Sequence, residues 1–190
     1  MNTFTGGAIT GLGDATTILE VTGSHNAIGA VTVTGSENAI INIKISGSYN
    51  VVASITVTGS STSNILIEIT GSENSLGGLI VTGANGALVS VKMVNDGNTI
   101  VGGSISASDQ SRASWTMNAD NTLTTVALTT SQTAVGVVNV SGTYNACTGL
   151  TATSSGASAF TYNMPSNSAA DTGRTITLLA GVSVVNVPTL

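Results

Sequence analysis

From Ile9 to Ser106 the chain repeats a twelve-residue line of alternating apolar and other positions, as in VTGSENAIINIK (33–44) and ISGSYNVVASIT (45–56). Val31 and Val33, Ile43 and Ile45, Ile55 and Val57, Ile67 and Ile69, and Leu79 and Val81 are apolar pairs separated by one residue. That spacing is the period-two signature of a strand with one buried face. A Gly-Ser-x-Asn segment or a close variant follows each strand, with glycine at Gly11, Gly23, Gly35, Gly47, Gly59, Gly71 and Gly83. These glycines are expected to take the positive φ of a tight corner, and the asparagines to tolerate left-handed geometry and bond nearby backbone. Strand and corner at a fixed period predict a β-solenoid.

Side chains between the inward residues set the number of lines per coil. Glu20, Lys44, Glu68 and Lys92 recur every twenty-four residues with alternating sign, whereas Thr32, Thr56, Ile80 and Ser104 hold that place in the intervening lines. Coils stack about 4.8 Å apart, so a two-line coil sets each Glu beside a Lys, and a three-line coil would scatter them. Asn26, Asn50, Asn74 and Asn98 fall into one column at the same period, able to stack as an amide ladder.

The pattern loosens after Ala107 without stopping. Met93 leads to Met117, and a one-residue deletion near Asn121 resets the register to Leu128, Val140, Ala152, Met164 and Ile176. SGTYNAC at 141–147 repeats SGSYNVV at 46–52. The expected fold is all-β, a parallel β-helix of about eight two-stranded coils. Residues 1–118 form the regular solenoid with a lead-in at 1–8, either a Gly/Thr-rich approach or a partial first coil ending at Ile9, and residues 119–190 a degenerate continuation that serves subunit assembly.

Composition narrows the function. Of 190 residues, 41% are hydrophobic but only 7% charged, against roughly 25% charged in ordinary globular chains. Aromatics at 3% and two prolines leave Val, Ile, Leu and Ala to build the core. A net charge of −5 with four basic residues argues against nucleic acid and anionic membranes, which need clustered Lys and Arg. No apolar run approaches the roughly 18 residues of a membrane span. The first basic residue is Lys44, so no secretory n-region is visible, and Met1 before Asn2 reads as a true start. A virion component released by lysis fits these features, as does an extracellular fibre. Cys147, the sole cysteine, forms no internal disulfide; it occupies the place of Ile28, Ile40, Val52, Leu76 and Leu88 and reads as a small core residue.

The Gly-Ser-x-Asn corners and two-line coils, over residues 9–145, resemble the β-solenoids of curli-type fibre subunits and the β-helical modules of phage tail fibres and spikes. The resemblance implies a structural or adhesive role in a homo-oligomer. The chain lacks the regular Gln positions of the curli pattern and the Gly-Gly-x-Gly-x-Asp core of calcium-binding nonapeptide repeats.

Three chemistries compete with plainer readings. Thr32 and Thr34, Thr56 and Thr58, and Ser104 and Ser106 make outward T-x-T pairs similar to those of β-solenoid antifreeze proteins, with Ile80 breaking the array; the plainer reading is β-branched Thr chosen for strand propensity. Glu73, Asp96 and Asp120 are expected on three successive coils, a spacing suited to a glycosidase pair or to Ca²⁺, or else to acidic turns on the surface. Nucleophilic catalysis lacks an inventory, since His25 is the only histidine and no Gly-x-Ser-x-Gly elbow occurs. Gly6-Gly7 and Gly102-Gly103 lack the Lys or helix of a phosphate loop.

Residues 121–170 contain no Asp, Glu, Lys, Arg or His. An uncharged surface invites association, so the expected interface involves Asn139, Tyr144, Phe160, Thr161 and Tyr162, with Trp115 beside it. The function expected is a non-enzymatic, self-associating structural rod of a virion or extracellular fibre, without cofactor or metal. Its partners are further copies, with a cell-surface glycan or other virion proteins as additional ones. The alternatives are a tailspike-like glycan-binding or depolymerising enzyme and, after it, an ice-binding protein.

Overall fold

The computed structural model describes residues 2–118, 121–140, 146–148, 151–156, 159–163 and 175–178. Among these residues all regular structure is strand. The first coils run β1 (Thr3–Gly11), β2 (Thr16–Val21), β3 (Ala27–Gly35), β4 (Ile40–Ile45), β5 (Val51–Gly59) and β6 (Asn64–Ile69). They continue as β7 (Ser75–Leu76), β8 (Leu79–Gly83), β9 (Leu88–Met93), β10 (Thr99–Ala107), β11 (Arg112–Met117), β12 (Thr122–Thr130) and β13 (Val135–Val140). The last are β14 (Ala146–Thr148), β15 (Thr151–Ser154), β16 (Ala159–Asn163) and β17 (Thr175–Leu178).

Two parallel sheets result, and the chain alternates between them. The first runs β1-β3-β5-β7-β10-β12-β15-β17, with β8 and β14 completing levels that β7 and β15 share; the second runs β16-β13-β11-β9-β6-β4-β2. Thr32 pairs with Thr56 and Lys44 with Glu68, so one coil is 24 residues, a long strand followed by a short one. Between the fifth and sixth levels the step falls to 23: Met93 pairs with Met117, but Met117 pairs with Val140. The chain is therefore a β-solenoid. Five coils are described with one short interruption at 119–120, and the register then carries on to Ile176, which pairs with Ala152. The lead-in joins the first coil, in keeping with its reading as a partial coil: Thr3, Phe4 and Gly6 to Gly11 pair along β3.

Inward columns fill the interior. Val33, Val57, Val81, Ile105 and Leu128 line the first sheet, and Ile43, Ile67, Val91 and Trp115 the second, all buried. Each such side chain contributes roughly 1.5–3 kcal/mol on leaving water. Trp115 stands where the coils above it have Val91 and Ile67, and its own coil carries Ala113 and Gly103 where the coil above has Val89 and Leu79. The extra ring volume coincides with volume removed, which keeps the interior close-packed. Ile40 and Leu88, read from the repeat as equivalent to core residues, are exposed, because the short strand turns Ile41 and Val89 inward instead.

The corners differ from expectation in an instructive way. Positive φ falls on the variable residue rather than on the repeat glycines: His25, Tyr49 and Glu73 at one corner have φ of 60°, 59° and 56°, and Glu37, Ser61 and Asn85 at the other 59°, 51° and 56°. Of the seven repeat glycines only Gly23 has positive φ. What most of the others supply is room. A Cβ on Gly47 would stand 1.6 Å from the carbonyl oxygen of Gly23 in the adjacent coil, and one on Gly59 would meet Ile65 Cδ1 at 2.5 Å. The repeat glycines thus let coils touch and let isoleucine fill the corner.

Candidate functional site

The corner asparagines form a polar column inside the rod. The backbone N–H of Asn26 donates to Asn50 Oδ1 at 2.9 Å, that of Asn50 to Asn74 Oδ1 at 2.9 Å, that of Asn74 to Asn98 Oδ1 at 3.0 Å, and that of Asn98 to Asn121 Oδ1 at 3.0 Å. Asn2 joins the column through its N–H on Asn26 Oδ1 at 3.3 Å. The contacts run chiefly from backbone to side chain, and an amide-to-amide bond joins Asn74 Nδ2 to Asn98 Oδ1 at 3.0 Å. Asn26, Asn50, Asn74, Asn98 and Asn121 are all buried, so this column satisfies corner backbone groups that the ladders leave unpaired. It is structural. The opposite corner has an exposed counterpart, in which Asn38 Nδ2 donates to Asp14 Oδ1 at 2.9 Å and Thr62 Oγ1 bonds Asn38 Oδ1. Sequence reading missed it because its members differ in type from coil to coil.

On the outer edge of the asparagine corner, the rings of His25 and Tyr49 stack at 5.1 Å and 18°. Next in that column comes Glu73 and then Gly97, not Asp96: Asn74 stands over Asn98, which aligns Glu73 with Gly97 and Ser72 with Asp96. Gly97 takes the left-handed place at φ 75°, and a Cβ there would stand 2.7 Å from Glu73 Oε1. Glu73 therefore lies over bare backbone, while Asp96 is on the next coil as expected but one place out of that column, its carbonyl accepting the Glu73 N–H at 3.3 Å. Asp120, the third carboxylate of that reading, lies outside the described residues. No group of three His, Cys, Asp or Glu side chains able to hold a metal ion occurs among the described residues.

The sheet register makes Glu20, Lys44, Glu68 and Lys92 successive neighbours on the second sheet. Among the described residues the one ion pair is Lys44 Nζ to Glu20 Oε1 at 3.9 Å, with both side chains nearly half exposed. The same outward column continues as Thr116 and Asn139, and the backbone register leads on to Asn163. Charge thus occupies four coils of this column and is absent from the next three.

Of the residues assigned to assembly, Asn139 is partly buried on β13 and Thr161 partly buried on β16, where it pairs with Val137. Phe160 and Tyr162 lie in β16, which places their backbone on the second sheet, but their side chains, like that of Cys147 in β14, are outside the described residues. Tyr144 is also outside them. Trp115 is corrected: it is 1% exposed and belongs to the core, not to an interface. Its Nε1 and Ser111 Oγ are buried without a hydrogen-bond partner.

The first sheet is different. None of its strands carries an Asp, Glu, Lys, Arg or His at any level. At the first coil the interior opens between Phe4, Leu19, Val21 and Ile28, rimmed by Asn2 and Asn26. No helix among the described residues is long and apolar enough to cross a membrane. Comparison of the chain with protein-family models, with curated proteins and with solved structures finds no match.

Proposed function

We propose that the protein is a non-enzymatic structural element, a β-solenoid rod that associates with further copies of itself through its C-terminal levels, as part of a virion or an extracellular fibre. The observation that carries this reading is the change along one line of register, from Glu20, Lys44, Glu68 and Lys92 to Thr116, Asn139 and Asn163. A regular stack has no conformational reason to drop its charges partway, because the same strand geometry persists on both sides of the change. Exposed strands without charge favour association. The charged levels of this sheet stay solvated, while the levels of β13 and β16, whose strands carry no charge, are covered by another copy.

Sedimentation velocity tests this. The full chain sediments as a trimer or larger at micromolar concentration, and Asn139→Lys with Thr161→Lys, which restores charge to the bare levels, shifts it toward monomer. A chain that is monomeric at every concentration overturns the proposal.

A further inference from the structure

The outer face of the second sheet changes in another way where its charge runs out. In the two outward columns that start at Thr16 and Ile18, each of the first four levels carries one large apolar side chain, Ile18, Ile40, Leu66 or Leu88, beside a smaller polar one. The next level has none, with Arg112 and Ser114 in those places, and the level after it has two, Val135 and Val137. Both valines are half-buried. Arg112 differs from the lysines of the ladder as well. Lys44 stands between Glu20 and Glu68 in register, whereas Arg112 stands between Leu88 and Val135. It is exposed and makes no ion pair among the described residues.

An arginine stem packs well among apolar neighbours while its guanidinium seeks a carboxylate, and arginine, unlike lysine, is enriched in protein interfaces. Two adjacent valines with Arg112 at their rim therefore fit an apolar knob that carries a carboxylate beside it. The chain presents such a knob at the corner between β1 and β2. Following the aligned ends of the long strands, the repeat places Leu12, Ser36, Ser60, Ala84, Ser108 and Ser131 at one corner position. Leu12 is the one bulky apolar residue of that column, and at 70% it is the most exposed large hydrophobic side chain among the described residues. The turn does not require it, since serine and alanine make the same corner at the other levels.

Asp14 follows Leu12 by two residues, across Gly13 at φ 63°, and is exposed. Its Oδ1 accepts Asn38 Nδ2 at 2.9 Å, and the second carboxylate oxygen remains for another donor. Val94 and Asp96 make a similar pair at the opposite corner, but Val94 is only 36% exposed. Glu20 and Glu68 already have Lys44 beside them in register. Leu12 with Asp14 is thus the apolar and acidic pair best placed to reach another copy.

We infer that the corner between β1 and β2 of one copy docks on Val135, Val137 and Arg112 of the next, with Leu12 against the valines and Asp14 on the guanidinium. The inference rests on the self-association proposed above and names the two surfaces that meet. Because these surfaces differ, the contact is heterologous and each copy uses both, which propagates into a ring or a filament. Sedimentation velocity on full-length variants tests it. Arg112→Asp, Asp14→Arg and Leu12→Ser each raise the concentration needed for assembly about tenfold or more, while melting as the wild type does. An equimolar mixture of the Arg112→Asp and Asp14→Arg chains assembles again, because the intact surface of each meets the intact surface of the other. A mixture that stays monomeric overturns the inference. So does a wild type that assembles and responds to Asn139→Lys with Thr161→Lys but not to Leu12→Ser or Arg112→Asp, and that result leaves the self-association itself standing. A wild type that is monomeric throughout removes both.

Discussion

Asn74 Oδ1 accepts the backbone N–H of Asn50 from the neighbouring coil at 2.9 Å, and both residues are buried. Asn74→Leu orphans that N–H where water does not reach, at a cost of about 1–3 kcal/mol for the unsatisfied donor. Asn38, in the exposed counterpart column, loses only solvated bonds on change to leucine. Urea denaturation therefore shows a larger loss for Asn74→Leu than for Asn38→Leu, and equal losses contradict a structural role for the buried column.

Left-handed corner positions filled by Glu, Tyr and His carry conformational cost. For an L-residue the left-handed backbone costs roughly 1–2 kcal/mol, which Gly and Asn largely escape. Glu37→Asn, at φ 59°, is expected to raise the melting temperature, and Glu37→Val to lower it well below wild type. Calorimetry on the three proteins gives the order Asn, Glu, Val. A reversed order means the corner does not hold this geometry in solution.

Trp115 combines a large buried surface with an Nε1–H that has no partner. Trp115→Ala is expected to cost about 3–5 kcal/mol. Trp115→Phe costs far less, because losing the orphaned donor offsets part of the lost packing. Since the ring is inside, its emission is blue-shifted, follows unfolding and ignores dilution even where the protein dissociates.

The ion-pair ladder contributes little beside the interior. A double-mutant cycle on Glu20 and Lys44 should give about 0.2–1 kcal/mol at low salt and less at high salt, as exposed pairs do. Coupling of several kcal/mol contradicts the half-exposed geometry at 3.9 Å.

The coil length, the inward columns and the one-residue reset were legible in the chain because period-two alternation and a 24-residue recurrence of Glu and Lys are carried by residue type alone. Which corner residue takes positive φ was not. Glycine was the natural candidate, but Gly47 and Gly59 are selected by contacts with a neighbouring coil and with Ile65, and no local pattern shows such contacts. Trp115 was misplaced for a related reason, since its acceptance inside depends on Ala113 and Gly103 in the same coil.

Self-association through the bare levels of the second sheet is the central claim, and negative-stain electron microscopy of the purified full-length protein across micromolar concentrations tests it most directly. The account predicts joined rods, as side-by-side clusters or end-to-end fibres, that separate when Asn139→Lys and Thr161→Lys are introduced together. Single rods at every concentration, with the double variant indistinguishable from wild type, would contradict it.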